Sequence, residues 1–308
     1  MIVPPAFASA RPWANQMTTE ILQLVVSGLA TGAIYALAAI GFSLLWQTSQ
    51  TINFAQGEFV MLPAFFILIA SNLGLPFWAA ALIGIAVSVL TLGILFKWIV
   101  VDPMIRHGVM PLVIATIGLA ILMKESVKEF YSAQAQPFPP LAEATNITIV
   151  GVVFSLQSIV NLAVAVTAVI VLQLFLSRTH TGRCMQATAQ NPGVARILGI
   201  NVDRMILYTF VINAALVALA SILVTPIYLA KFTNGETLGI YAFIAAIIGG
   251  FNQVRGAIVG GLILGVLDNF AAAYLSAQYR SALPLVILIL VILVRPQGLL
   301  GRAEERTV

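Results

Sequence analysis

Charged residues are scarce in this sequence. Only 8% of its 308 residues are charged and 60% are hydrophobic, whereas a soluble domain carries roughly 25% charged residues. Water cannot solvate a surface of this composition, which excludes an ordinary soluble domain. The formal charge of +4 does not indicate nucleic-acid binding, because the 15 Lys and Arg residues are spread thinly between apolar blocks.

Catalytic and metal-ligating groups are also few. The single cysteine, Cys184, excludes an internal disulfide and a thiolate metal cluster. The two histidines, His107 and His180, are expected to be solvated loop residues. The sequence has no G-x-x-x-x-G-K-[ST] phosphate-binding loop and no His or carboxylate cluster with metal-ligand spacing. We therefore predict no catalytic residue, no metal site and no ATPase site in this chain.

Long apolar blocks fill most of the chain. They lack the apolar/polar alternation of membrane strands, and continuous runs of about 18 or more apolar residues are typical of spanning helices. The nine blocks cover approximately residues 21–46, 52–71, 75–100, 109–123, 149–176, 205–230, 238–250, 256–275 and 282–294. The fourth, seventh and ninth are short. We predict an all-α, polytopic transmembrane bundle with about 8–10 membrane segments, some of them short or broken.

Three regions follow from this pattern. Residues 1–19 have no apolar core long enough for a signal peptide and are expected to form a disordered extension. Residues 20–302 form the predicted transmembrane domain, and residues 303–308 form a C-terminal tail. The longest inside loop of the domain covers residues 177–204, and the longest outside loop covers residues 124–148.

The distribution of positive charge predicts the orientation. If nine segments cross the membrane, ten Lys and Arg residues lie on one side and five on the other. Positive residues accumulate on the cytoplasmic side. The N-terminus is therefore predicted to lie outside and the C-terminus in the cytoplasm. Gln186 and Arg302 are expected inside, and Gln136 outside.

Glycines recur at intervals of four in two blocks. A gap of four places small residues on one helix face, and close backbone approach is how helices pack in lipid. We predict tight packing within the subunit, with a subunit interface or a pathway lining as the alternative. The residues are Gly28, Gly32, Gly256, Gly260, Gly261 and Gly265.

A polar stretch over residues 47–58 separates the first two apolar blocks. In one interpretation, Asn53 caps the second helix and Glu58 lies in its first turns, where the helix dipole favours negative charge. In the other, the helix is broken here, and Asn53, Gln56 and Glu58 line a translocation pathway. Apart from Glu58, Asp268 is the main ionisable candidate within the blocks. This scarcity counts against an ion-coupled carrier.

A short amphipathic helix is predicted in the inside loop. Asn191 as N-cap, Pro192 at the first helical position and Gly199 just past the end define about two turns. Such a helix either tucks under the bundle or enters a groove on a partner. Its apolar face consists of Val194, Ile197 and Leu198.

Separated stretches of the sequence resemble one known family. They read GLATGAIYAL (28–37), INFAQGE (52–58), TGR (181–183), ATAQNP (187–192), ARILGINVDR (195–204) and RPQGLLG (295–301). They are similar to the first two helices, the cytoplasmic loop and the C-terminal signature of LivH-type permease subunits of branched-chain amino-acid ABC importers. The resemblance covers about residues 18–302.

The resemblance implies a subunit that forms half of a pathway for branched-chain or related amino acids in a bacterial inner membrane. It implies a second homologous permease, two cytoplasmic ATPase subunits and an external or periplasmic substrate-binding protein as partners. No cofactor is expected in this chain, because ATP and Mg would bind the ATPase subunits. The expected coupling helix, which would pass ATPase closure to the membrane helices, contains Asn191, Pro192, Val194, Arg196, Ile197, Leu198 and Gly199.

Three other functions remain open at this point. Similar permeases carry urea, amides or aromatic acids. A secondary carrier would need an ion site within the membrane. A membrane enzyme acting on lipid would need clustered polar residues on facing helices.

Overall fold

The computed structural model describes residues 12–141, 145–149, 152–275 and 282–301. Within these ranges the chain forms eleven helices and one antiparallel hairpin of β1 (Asn146–Ile149) with β2 (Val152–Ser155). The helices are α1 (Pro12–Ser49), α2 (Gln56–Asn72), α3 (Phe77–Ile105), α4 (Val109–Phe130), α5 (Leu156–Arg178), α6 (His180–Gln190), α7 (Pro192–Ile197), α8 (Val202–Tyr228), α9 (Asn234–Gly249), α10 (Val254–Tyr274) and α11 (Ala282–Val294).

Apolar helices dominate the fold. Helices α1, α3, α4, α5, α8 and α10 are long and apolar enough to cross a membrane, and α2, α9 and α11 are shorter apolar helices. The predicted all-α polytopic bundle is therefore confirmed, with one small hairpin that the hydropathy pattern did not indicate.

Two predicted segment lengths were wrong. The fourth block is not short, because α4 continues to Phe130 through a charged turn in which Lys128 and Glu125 pair at 2.9 Å and i,i+3 spacing. The second block yields a helix of only 17 residues, because residues 52–55 lie outside it. At the N-terminus, α1 already begins at Pro12, within the predicted extension, and residues 1–11 lie outside the described part of the chain.

Helix α1 is the centre of the bundle. It contacts α5, α8, α9 and α10, and Ile34, Leu37 and Ile40 on it are fully buried. A helix that is apolar on every side fits a position surrounded by other helices. These four helices therefore surround α1.

Four glycines form a close contact between α1 and α10, which we call the glycine seam: Gly28, Gly32, Gly261 and Gly265. A Cβ atom at Gly32 would lie 2.7 Å from the carbonyl oxygen of Gly261, and one at Gly261 would lie 2.6 Å from Cα of Ala36. Only glycine permits this approach of two backbones. At the other end of α10, Gly256 and Gly260 contact α9 in the same way. Glycine packing within the subunit is therefore confirmed.

A second glycine contact joins α2 to α9. A Cβ atom at Gly57 would collide with the carbonyl oxygen of Gly235 and would lie 2.9 Å from Cα of Gly239. The first turn of α2 is thus held directly against the first turns of α9. This crossing positions the candidate site.

Helix α3 contains two π-helical stretches, Val89–Leu95 and Lys97–Val101. The wider π turn brings positions five apart to nearby sides of the helix. Lys97, which is buried, donates to Asp102 at 2.7 Å across this spacing. The pair satisfies a lysine that would otherwise be an unpaired charge among apolar helices.

Candidate functional site

The chain between α1 and α2 turns back into the bundle. Nε2 of Gln56, the first residue of α2, lies 3.4 Å from the carbonyl oxygen of Ala38, which is eleven residues before the end of α1 at Ser49. At 1.5 Å per residue this is about 16 Å along α1. Helix α2 therefore begins well inside the bundle, as in a broken membrane helix.

Protein groups satisfy much of the irregular backbone in this return segment. The amide of Phe54 donates to Oγ1 of Thr116 on α4, and the amide of Ala55 donates to Oδ1 of Asn53 at 3.0 Å. Asn53 thus forms a local turn, and the N-cap position itself is Ala55, without a side-chain cap. The capping interpretation of Asn53 was wrong. Non-helical backbone at membrane depth is stable where protein groups surround it.

Gln56 belongs to a buried amide pair rather than to an open surface. Its Nε2 donates to Oδ1 of Asn213 on α8 at 2.8 Å, and Nδ2 of Asn213 donates back to Oε1 of Gln56 at 3.0 Å. Both residues are fully buried, and a Cβ atom at Gly41 would collide with the two amides. In this conformation Gln56 and Asn53 are both enclosed, so neither is open to a passing molecule.

Glu58 is placed differently, because it lines a cavity. The cavity has a volume of about 440 Å³ and lies between α2, α4, α9 and α11. Glu58 is only 4% exposed, and its Oε2 has no hydrogen-bond partner among the described residues. A Cβ atom at Gly235 would lie 2.6 Å from Oε1 of Glu58, so glycine at this position of α9 makes room for the carboxylate.

Two further charged residues line the same cavity. Nζ of Lys124 on α4 donates to Oε1 of Glu236 on α9 at 2.6 Å. The apolar pattern placed Lys124 at the start of the outside loop of residues 124–148, whereas the structure places it within helix α4. The rest of the wall is mainly apolar and aromatic, with Phe54, Phe243 and Ile121 among its members.

The predicted short helix of the inside loop is present as α7. Oδ1 of Asn191 accepts from the amide of Val194 at 3.0 Å, and Pro192 is the first helical residue. Gly199 has φ +80° and follows the last turn, where its amide donates to the carbonyl oxygen of Arg196. These capping features are as predicted.

The apolar face of α7 is exposed. Ile197 is 85% exposed, Leu198 71% and Val194 50%, whereas Ala195 on the opposite side is buried. Of the two predicted arrangements, the structure excludes tucking of this face under the bundle. Arg196 and Gly199 are exposed beside it.

Sequence reasoning missed several residues of the site. Asn213 is a lone amide in an apolar 27-residue helix, and such a residue in a membrane helix is itself a signal for a buried partner. Lys124, Glu236 and Gly235 follow from no local motif, because they come together only when α4, α9 and α2 pack.

These features define a class of protein. The chain is a multi-pass helical membrane protein with a second helix that begins inside the bundle, a cavity lined in part by charged side chains and an exposed amphipathic helix at one end.

Comparison with known proteins gives the family. Residues 24–292 match the family model described as branched-chain amino acid transport system / permease component. The chain belongs to this family. It is therefore a permease component of a transport system, located in the inner membrane, and not a member of an enzyme family.

The sequence of this chain aligns with those of named relatives over nearly their whole length. The high-affinity branched-chain amino acid transport permease BraD of Pseudomonas aeruginosa is 34% identical over 302 residues, covering 93% of this chain and 98% of BraD. LivH of Escherichia coli K12 is 32% identical, covering 93% and 97%. A probable LivH of Methanocaldococcus jannaschii is 25% identical, covering 87% and 89%. No solved structure matches the chain closely enough to count as a relative.

Proposed function

We propose that this chain forms half of the translocation pathway of an ABC importer for branched-chain amino acids. The named relatives carry these substrates in their names, and the cavity beside Glu58 combines apolar walls with charges of both signs. A zwitterion with an apolar side chain suits such a surface. Several residues of the wall are exposed in the single chain, among them Ile121 and Ile240, which fits a pathway completed by a second permease.

The exposed face of α7 is the observation that supports coupling of this chain to an ATPase. The large apolar side chains of Val194, Ile197 and the C-cap residue Leu198 are exposed together, which is unfavourable in water. Binding of an amphipathic helix in a groove is a common way to cover such side chains. We assign this groove to a cytoplasmic ATPase subunit, with Arg196 available for a carboxylate at its rim. One ATPase subunit would serve each permease, and an external binding protein would deliver the cargo.

Uptake by the purified complex tests this function. The permease pair, the ATPase subunits and a binding protein are reconstituted in vesicles, and uptake of labelled leucine is measured with ATP or with a non-hydrolysable analogue on the ATPase side. We expect uptake with ATP and not with the analogue, and we expect this uptake to require the binding protein. Transport of urea, amides or aromatic acids without leucine uptake would assign the complex to another branch of the family.

The proposed orientation places α7 in the cytoplasm. The cavity that contains Gln186 on α6 also includes Asn252 and Arg255, so the α6–α7 region and the α9–α10 turn lie at one end of the bundle. Gln136 pairs with Ala230, next to the other end of α8.

Cysteine labelling tests this orientation. In a chain with Cys184→Ser, Gln186→Cys should react with an impermeant reagent only from the cytoplasmic side. Gln134→Cys, an exposed neighbour of the half-buried Gln136, should react only from outside. The opposite result at both positions would invert the topology. The second predicted cytoplasmic position, Arg302, lies outside the described residues.

A further inference from the structure

Glu58 is an unusual polar side chain among the described residues. Only 4% of its surface is exposed, yet its Oε2 has no hydrogen-bond partner among the described residues. An unpaired buried carboxylate oxygen is costly. Such residues within membrane segments are typically functional. Glu58 also lines the cavity, so a donor that enters the cavity meets its carboxylate.

The surroundings of Glu58 indicate the chemistry of that donor. Glu58 and Glu236 bring two carboxylates to the cavity and Lys124 brings one ammonium group, so the cavity as a whole favours an added cation. The carboxylate of Glu58 accepts hydrogen bonds and therefore calls for an N–H or O–H donor. An ammonium group satisfies both conditions, because it carries the charge and has three donors.

A carboxylate group of the ligand would also have a partner in the cavity, which is Lys124. Nζ of Lys124 holds one oxygen of Glu236 at 2.6 Å, and the side chain of Glu236 is 57% exposed. An exposed ion pair contributes little to stability, so a ligand carboxylate competes for Lys124 at small cost. Phe243 and Ile121 provide the apolar wall next to these charges.

The volume fits a small amino acid. A cavity of about 440 Å³ lies within the range of small-molecule sites, which is about 300–1,000 Å³. It opens at the surface of the chain beside the crossing of α2 and α9, where glycines bring the two helices together. A ligand held here would touch both helices at once.

From these observations we propose that the cavity is a transient binding site for the transported amino acid within the permease itself. Glu58 binds its α-ammonium group, Lys124 binds its carboxylate in exchange for Glu236, and Phe243 and Ile121 contact its side chain. This assignment rests on the proposed function, and it adds a second recognition step after the external binding protein. The step selects for a zwitterion and binds it weakly.

Ligand analogues that lack one charged group test the site. The purified complex without binding protein is titrated with labelled leucine, and two competitors are compared. Isoamylamine keeps the ammonium group and the branched side chain, and isocaproate keeps the carboxylate and the side chain. We expect isoamylamine to compete more strongly, because the ammonium site is otherwise unpaired.

Two variants should change the selectivity in opposite ways. Glu58→Gln should weaken leucine and isoamylamine by about tenfold or more, the value of a charge-assisted hydrogen bond, and leave isocaproate unchanged. Lys124→Met should weaken leucine and isocaproate but not isoamylamine. Glu125→Gln is the matched control, because Glu125 is an exposed carboxylate next to Lys124 that pairs with Lys128. This variant should bind all three ligands as the wild type does.

The outcomes separate this site from the proposed function. If the wild-type complex imports leucine but Glu58→Gln binds leucine and isoamylamine with unchanged affinity, the site is refuted and the importer assignment stands. Equal losses for all three ligands in both variants would show only damage to the fold and would also refute the selective site. If no branched-chain amino acid is imported by the wild type, the proposed function itself fails.

Discussion

The glycine seam and the helix α7 use glycine for opposite reasons. In the seam, a Cβ atom at Gly265 would collide with the backbone of Gly32, so glycine permits contact between α1 and α10. After α7, nothing lies within 4 Å of a Cβ atom at Gly199, but its φ of +80° is unfavourable for other residues. One region is closed by packing and the other is exposed and held by local caps. A substitution in the seam should therefore destroy the fold. A substitution at α7 should leave the fold intact and impair only the contact between α7 and its partner.

The largest expected effect is in the seam. Gly265→Val places a side chain against the backbone of α1 and should prevent stable packing, with a loss of several kcal/mol or more. We expect little folded protein in the membrane, measured by size-exclusion profile and thermal midpoint in detergent. Gly118→Val on α4, where nothing lies within 4 Å of the added Cβ, is the control. Equal accumulation of the two variants would contradict the role of the seam.

A smaller effect on the fold but a large one on transport is expected at α7. Gly199→Val strains a left-handed position by about 1–3 kcal/mol, and Arg196→Glu reverses the charge beside it. The double variant should insert normally yet lose most substrate-stimulated ATP hydrolysis and uptake. Gly199→Asn, which tolerates positive φ, should retain both activities. Wild-type coupling in the double variant would show that α7 is not the coupling element.

The smallest effect is expected in the amide pair, which resembles the seam in burial but depends on hydrogen bonds. Gln56→Leu and Asn213→Leu should each leave one buried amide unpaired, at a cost of about 1–3 kcal/mol. The double variant should be more stable than the sum predicts, by about 0.5–2 kcal/mol. Reversible unfolding in mixed micelles measures this coupling. Strict additivity would mean that the two amides do not depend on each other.

Features fixed by neighbours in sequence could be predicted, and those fixed by packing could not. Helix α7 was predicted with its caps because Asn191, Pro192 and Gly199 act within a few residues of one another. The glycine spacing likewise predicted close packing within the subunit. The pairing of Gln56 with Asn213 was missed because 157 positions separate them.

Charged residues caused the remaining errors. The apolar pattern placed Lys124 in the outside loop of residues 124–148, but Lys124 lies in α4 and pairs with Glu236 on α9 beside the cavity. Lys97 and Asp102 were likewise not recognised as a pair, because five positions bring two side chains together only where a helix has π turns. The polar break at Asn53, Gln56 and Glu58 was found, but only Glu58 lines the cavity.

The contact made by Ile197 tests the central claim most directly. A photo-crosslinking amino acid is placed at Ile197 on α7 or at Ile170 on α5, which is also exposed at 52% but lies within a membrane-spanning helix. In the assembled transporter, position 197 should crosslink to the ATPase subunit and position 170 should not. Crosslinks from position 197 only to this chain, or ATPase crosslinks of equal yield from both positions, would contradict the assignment of α7 as the surface that receives the ATPase.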